Sequence, residues 1–215
     1  MNTIDLARDL QALAKDFQAQ GYFPSLSLSV FNRRGRLLHF TLGEAKADSL
    51  FDIASLSKIF TATIILRLIE EGRFGLDTEV ASLLKPLRED PVLAEGLRGI
   101  TLYQLLTHTY SLPAWYPVYT QPDFYAALKK ALQLPRPDGM EYSDLNFMLL
   151  GMILKEIYPT AAGESLLKQA LCAPLSLPDA HDIMDDGLRA RAIPSGYGNP
   201  QEEAMCEKMG LHFDR

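Results

Sequence analysis

Only one stretch of this chain alternates the way a β-strand must. Ser25-Leu26-Ser27-Leu28-Ser29-Val30 has a period of two. Asn32 to Gly35 supply turn chemistry, and Arg36 to Leu42 predict a second strand. A lone hairpin is marginal in water, so this one needs cover. Everywhere else the apolar residues recur at helical spacing. Leu6, Leu10, Leu13 and Phe17 predict a helix over 3–19 that ends at Gly21 and Pro24. Residues 55 to 71 read as a long apolar helix, followed by short helices near 78–85 and 101–107. Thr120 and Asp123 resemble a capping box opening a helix through Leu132, with Pro122 inside its start. Ser143 is the expected cap of a helix over 144–157, and one more helix is expected over 161–172. From about residue 174, prolines and glycines read as loop.

With 215 residues, 47% of them apolar and 22% charged, the chain can bury one good core. A net charge of −6 argues against a nucleic-acid partner, and the doublets Arg33-Arg34 and Lys129-Lys130 are isolated. Cys172 and Cys206 form no pair at metal spacing. His39, His108, His181 and His212 form no zinc motif and read as structural or surface residues. No cofactor or metal is expected. No apolar run reaches spanning length, and the N-terminus lacks the pattern of a leader, so the expected location is cytoplasmic with no membrane partner.

The chemistry concentrates in Phe51-Asp52-Ile53-Ala54-Ser55-Leu56-Ser57-Lys58. On a helix, i and i+3 share a face, so Lys58 reaches the Ser55 hydroxyl. A serine hydroxyl is a weak nucleophile without a base beside it. A lysine serves as that base only if its pKa falls well below about 10.4, which burial or a helix N-terminus promotes. Ser-x-x-Lys alone is not specific: Ser82 with Lys85 and Ser165 with Lys168 also match. Only Ser55 opens a long apolar helix directly after a strand-and-loop region. A second candidate is Tyr142-Ser143-Asp144 at the mouth of a helix, where a phenol beside an ammonium loses its proton more easily.

Several segments then match one family in order. Phe51 to Ala62 resembles the active-site helix of class C β-lactamases and related esterases and D-amino-acid peptidases. Gly72 to Val80 is similar to the segment that follows it. Ile100-Thr101-Leu102-Tyr103-Gln104-Leu105-Leu106-Thr107-His108-Thr109 is similar to the family's ITxxxLLTHTSGL stretch, and Tyr142 to Gly151 to its Tyr-x-Asn motif and helix. Ala173 to Leu177 resembles a later segment. The resemblance implies an α/β (α+β) fold of the serine β-lactamase/transpeptidase type: an antiparallel sheet flanked by helices, plus a helical region. It implies an acyl-enzyme hydrolase with Ser55 as nucleophile, Lys58 and Tyr142 sharing the proton traffic, and Asp144 facing the substrate. That substrate would be a small ester, amide or β-lactam.

Three departures stand out. Asp144 replaces the Asn frequent in penicillin-recognising members, and cannot donate an amide N–H. Tyr110-Ser111 replaces Ser-Gly. The third motif, Lys or His-x-Gly on a late strand, has no counterpart in strand context; Lys208-Met209-Gly210 reads as coincidence. The late strands are missing from this reading, which leaves a helix-dominated, C-terminally truncated domain over 1–215. Within it, 1–60 holds the first helix, the hairpin and the start of the active-site helix; 61–190 is mainly helical; 191–215 is a loop-like tail. The alternatives are a non-catalytic remnant or binding module, or a half-site completed by another chain. An exposed strand edge would allow self-association.

Overall fold

The computed structural model describes residues 3–136, 138–161, 164–195 and 200–211. In chain order its elements are α1 (Thr3–Ala19), β1 (Leu26–Asn32), β2 (Gly35–Leu42), α2 (Ser57–Glu70), α3 (Val80–Leu83), α4 (Lys85–Glu89), α5 (Pro91–Gly96), α6 (Leu102–Leu106), α7 (Phe124–Ala131), α8 (Asp144–Ile157), α9 (Ala173–Leu175), α10 (Asp186–Arg189) and α11 (Pro200–Lys208). Short 3-10 turns at Ala54–Leu56 and Val118–Thr120 precede α2 and α7, and a π-helical turn at Lys168–Cys172 precedes α9. No helix among the described residues is long and apolar enough to cross a membrane. The chain divides into two compact units, Met1–Ile53 with Met184–Tyr197, and Ala54–Ile183 with Gly198–Arg215.

The first unit is built on the hairpin. β1 and β2 pair antiparallel from Leu26↔Leu42 to Asn32↔Gly35, with a register irregularity at Val30/Phe31. Asn32 closes the turn by accepting from the Arg34 amide at 2.7 Å, as Asn does in turns. The alternation is visible in burial: Leu26, Leu28 and Val30 are half-buried, while Ser27 and Ser29 are exposed. Gly43 leaves the hairpin at φ +69, where a Cβ would lie 2.2 Å from the Pro24 carbonyl oxygen; only glycine fits both constraints. On α1 the inward residues are Leu6, Leu10 and Ala14, whereas Leu13 and Phe17 are exposed. The expected stripe is therefore rotated toward the smaller side chain. Residues 184–195 join this unit through a parallel bridge, Leu50↔Ala192.

The second unit is helical and holds the larger core. α8 is its axis, with Leu145, Leu149, Leu150, Ile153 and Leu154 buried, a wide helical stripe. It packs against α2 and α6. α2 contributes Ile64, Ile65 and Leu68, and α6 contributes Leu102 and Leu105. Thr101 starts α6 with a capping box completed by Gln104. The expected buried active-site helix is buried on that one face only: Leu56, Ile59 and Leu66 are exposed.

Four local expectations need correction. Asp123 alone caps α7, accepting from Ala126 N at 2.8 Å. Thr120 belongs to the preceding 3-10 turn, and Pro122 lies outside the helix. Ser143 stands at the N-cap position of α8, but its hydroxyl donates to Pro113 O at 2.7 Å and caps nothing. Of the helix expected over 161–172, residues 162 and 163 lie outside the described residues, helix begins at 166, and Lys168–Cys172 is wound as a π turn, where Arg67 Nη1 donates to Ala170 O at 2.6 Å. The expected loop-like tail contains α11, with Pro200 at its start, Glu202 and Glu203 in its first turn and Lys208 in its last. Those are good helix-end signals, but its apolar residues Ala204, Met205 and Cys206 are consecutive and give no period. Lys208-Met209-Gly210 is the end of this helix. Gly210 takes φ +67 and the Leu211 amide donates to Cys206 O, a left-handed helix terminator and not a strand. His212 lies outside the described residues.

Two stability effects are expected. Gly43→Ala should cost on the order of 1–3 kcal/mol of local stability, read as faster hydrogen exchange in the β1 and β2 amides. Leu149→Ala should cost about 2–5 kcal/mol, read by urea unfolding with the single tryptophan, Trp115, as reporter.

Candidate active site

The backbone just before α2 is unusual. Ala54 takes φ +45, a left-handed conformation that a β-carbon disfavours. Ser55 follows it in the 3-10 turn and is exposed. One helical turn on, Lys58 Nζ donates to Ser55 Oγ at 3.1 Å. The same nitrogen donates to Asp144 Oδ1 at 2.5 Å, so the first residue of α8 meets the first turn of α2. Lys58 is the more sequestered partner, with its side chain 16% exposed against 35% for Asp144. Lys58 Nζ also lies 4.9 Å from the centre of the Tyr142 ring and 5.8 Å from that of Phe147. All four residues singled out in the sequence, Ser55, Lys58, Tyr142 and Asp144, thus gather in one place within the helical unit.

The electrostatics differ from the expectation for Lys58. Burial pulls its pKa down, but hydrogen bonds to Asp144 and Tyr142 and their charges outweigh burial, and the net shift is upward. A lysine beside a carboxylate holds its proton. The depressed pKa that a lysine base needs is therefore absent. Tyr142 moves the other way. Hydrogen bonding with Lys58 and then with Ser55 lowers its pKa, burial and the Asp144 charge oppose the change, and the net shift is downward. The group made easier to deprotonate is the phenol.

The two rival Ser-x-x-Lys matches are accounted for structurally. The Ser82 hydroxyl donates to Glu79 O, and Lys85 pairs with Glu89 on the surface. The Ser165 hydroxyl donates to Asp182 and accepts from the Lys168 amide at 2.8 Å, a helix-start arrangement. In neither does the lysine ammonium reach the serine.

His108, read from sequence as structural or surface, borders the cluster. Its Nδ1 accepts from Ser143 N at 3.2 Å and lies 3.3 Å from Asn146 Nδ2, and its ring centre is 4.6 Å from that of Tyr142. Asn146 is fully buried among the leucines of α8. A buried polar residue on an apolar face is the signal that could have pointed here, because such a group must find a partner. The described residues contain no group of His, Cys, Asp and Glu fit to hold a metal ion.

The Beta-lactamase family model matches residues 10–200. The chain is 27% identical over 195 residues to penicillin-binding protein 4 of Amycolatopsis lactamdurans, covering 84% of this chain and 50% of that one. It is 39% identical over 71 residues to esterase EstB of Burkholderia gladioli, covering 33% of this chain and 18% of that one. A solved class C β-lactamase superposes with a TM-score of 0.73 at 18% identity, covering 89% of this chain and 55% of that one. The chain thus spans half the length of the first relative and less of the second. Its fold is of the β-lactamase/transpeptidase type, helix-dominated, with a two-stranded antiparallel sheet among the described residues. With a family match running over most of its length, the chain belongs to the Beta-lactamase family.

Proposed function

We propose that this chain is a serine hydrolase that works through an acyl-enzyme, with Ser55 as nucleophile, Tyr142 as general base, Lys58 as a fixed cation and Asp144 as its counter-ion. The observation that carries this reading is the shared ammonium. Lys58 donates to Ser55 Oγ at 3.1 Å and to Asp144 at 2.5 Å, while Lys58 and Ser55 together lower the pKa of Tyr142. The phenolate takes the Ser55 proton as Oγ attacks a carbonyl carbon. It returns that proton to the leaving group as the tetrahedral adduct collapses to the ester. A water then repeats the cycle on the acyl-enzyme. Throughout, the Lys58 charge holds the phenolate. With its proton retained, Lys58 is an electrostatic element and not the base. No side chain caps the start of α2, and the positive end of a helix beside Ser55 suits a developing oxyanion.

The substrate class is a small ester, amide or β-lactam, in keeping with relatives named as a penicillin-binding protein and an esterase. The Asp144 carboxylate, engaged with Lys58, offers no amide N–H to a substrate, which favours the esterase side. One observation favours a second reading, a binding module without turnover. Tyr142 is 53% exposed, so nothing among the described residues excludes water around the phenol. A facing wall from another chain would close it.

A fluorophosphonate should label Ser55 in the folded protein, and Ser55→Ala should abolish labelling. Turnover of an aryl ester by the labelling-competent protein supports the hydrolase; labelling without turnover supports a module that acylates and stops there; a folded protein that does not label overturns the hydrolase and supports the non-catalytic module.

The pH dependence follows from the two shifts. Labelling should rise as pH passes through a Tyr142 pKa below the ordinary 10.0 and decline only above the ordinary lysine value of 10.5, where Lys58 finally loses its proton. In Asp144→Asn the counter-charge is gone and burial of Lys58 is unopposed by it, so the alkaline limb should move to lower pH. An alkaline limb indifferent to Asp144→Asn would remove Asp144 from its role.

A further inference from the structure

We infer that His108 is the positioning residue for Tyr142: it clamps the chain on both sides of the tyrosine, backs its ring, and so aims the phenol at Ser55 and Lys58. This rests on the reading of Tyr142 as the base.

The backbone makes the first part of the case. His108 lies just past the end of α6 at φ +56, where its amide donates to Leu105 O and the next one, Thr109 N, donates to Gln104 O. That is the place where a helix ordinarily ends on glycine, because a β-carbon is strained there. A strained residue at such a point calls for a reason in its side chain.

The clamp has two jaws. The His108 carbonyl accepts from Glu141 N at 3.3 Å. Its ring Nδ1 accepts from Ser143 N at 3.2 Å. The two donors are the chain neighbours of Tyr142 on either side, so residue 142 is suspended between two bonds to one histidine. The imidazole then lies against the Tyr142 ring at 4.6 Å, with Phe147 on it at 5.2 Å. Asn146 Nδ2, which can only donate, points at the same Nδ1 from 3.3 Å. Both Ser143 and Asn146 are fully buried. With two donors converging on Nδ1, the ring is neutral and carries its hydrogen on Nε2.

Protonating Nδ1 would set its hydrogen against two N–H donors and open one jaw. It would also add a cation beside Lys58. The titratable groups facing the ring are Lys58 from α2 and, from the head of α8, Asp144 and Tyr142. Burial and then the Lys58 charge hold the His108 pKa below its ordinary 6.5, with Asp144 acting in the opposite sense. The clamp is therefore closed at neutral pH and opens on acidification.

Two readouts on the full chain test this. One is the ultraviolet tyrosinate titration of Tyr142, taken as parent minus Tyr142→Phe; it needs no turnover. The other is the rate of fluorophosphonate labelling of Ser55 against pH. His108→Gly keeps the backbone conformation and removes the ring. It should raise the Tyr142 midpoint toward the ordinary 10.0 and slow labelling by about 10²-fold, the cost of a misaimed group. His108→Asn tolerates the same φ and offers an amide oxygen to Ser143 N. It should recover most of the labelling rate and lose the acid limb that the parent develops below 6.5. A merely structural histidine would lower stability without moving the tyrosinate midpoint. If His108→Gly keeps the parental midpoint and rate while Tyr142→Phe does not label, His108 has no positioning role and the base reading stands. If Tyr142→Phe labels at the parental rate, the base reading fails and the clamp loses its purpose with it.

Discussion

The ion pair between Lys58 and Asp144 joins two helices that are 86 residues apart in sequence. It sits where the first turn of α2 meets the first residue of α8, and both helices are held there by apolar faces. Ile64, Ile65 and Leu68 press from one side, and Leu145, Leu149 and Ile153 from the other. Packing brings the charges together, because a partly exposed pair contributes too little to assemble two helices by itself. Once assembled, the pair decides the chemistry. A carboxylate at 2.5 Å keeps the ammonium protonated, and a protonated ammonium makes a phenolate at Tyr142 easier to form.

Strain marks the same region. Among the described residues, Ala54, His108 and Ser176 are the non-glycine positions with positive φ. The first immediately precedes Ser55, and the second touches Tyr142. Such conformations persist only when the surroundings over-determine them. At His108 the surroundings are in view: α6 ends there, α8 begins opposite, and the buried pair Ser143 and Asn146 completes the fit.

Much of the scaffold was legible from periodicity. The helix over Thr3–Ala19, the Leu26–Asn32 and Gly35–Leu42 hairpin, and the helix over Asp144–Ile157 follow from apolar spacing and turn residues. Ends and exceptions were less legible. The Ser143 hydroxyl turned to Pro113 O instead of capping α8, because the loop from 113 to 114 passes beside it. The helix over Pro200–Lys208 was hidden, because its three apolar residues run together and mark no face. The rotation of α1 toward Ala14 was equally out of reach, because Leu13 and Ala14 are adjacent and only packing chooses between them. His108 escaped because a histidine in a helix-ending segment has no period to betray it.

By itself, the sequence determined the chemical inventory and its local spacing. A serine and a lysine one helical turn apart, a tyrosine and an aspartate two residues apart at a helix mouth, and the order of the segments are all local facts, readable because helical geometry places i and i+3 together. Tertiary structure decided in which of three Ser-x-x-Lys pairs the ammonium reaches the serine hydroxyl, and which member of the site keeps its proton. Those outcomes depend on charges and burial from distant segments, which act through space over a few ångströms and leave no mark in the spacing along the chain.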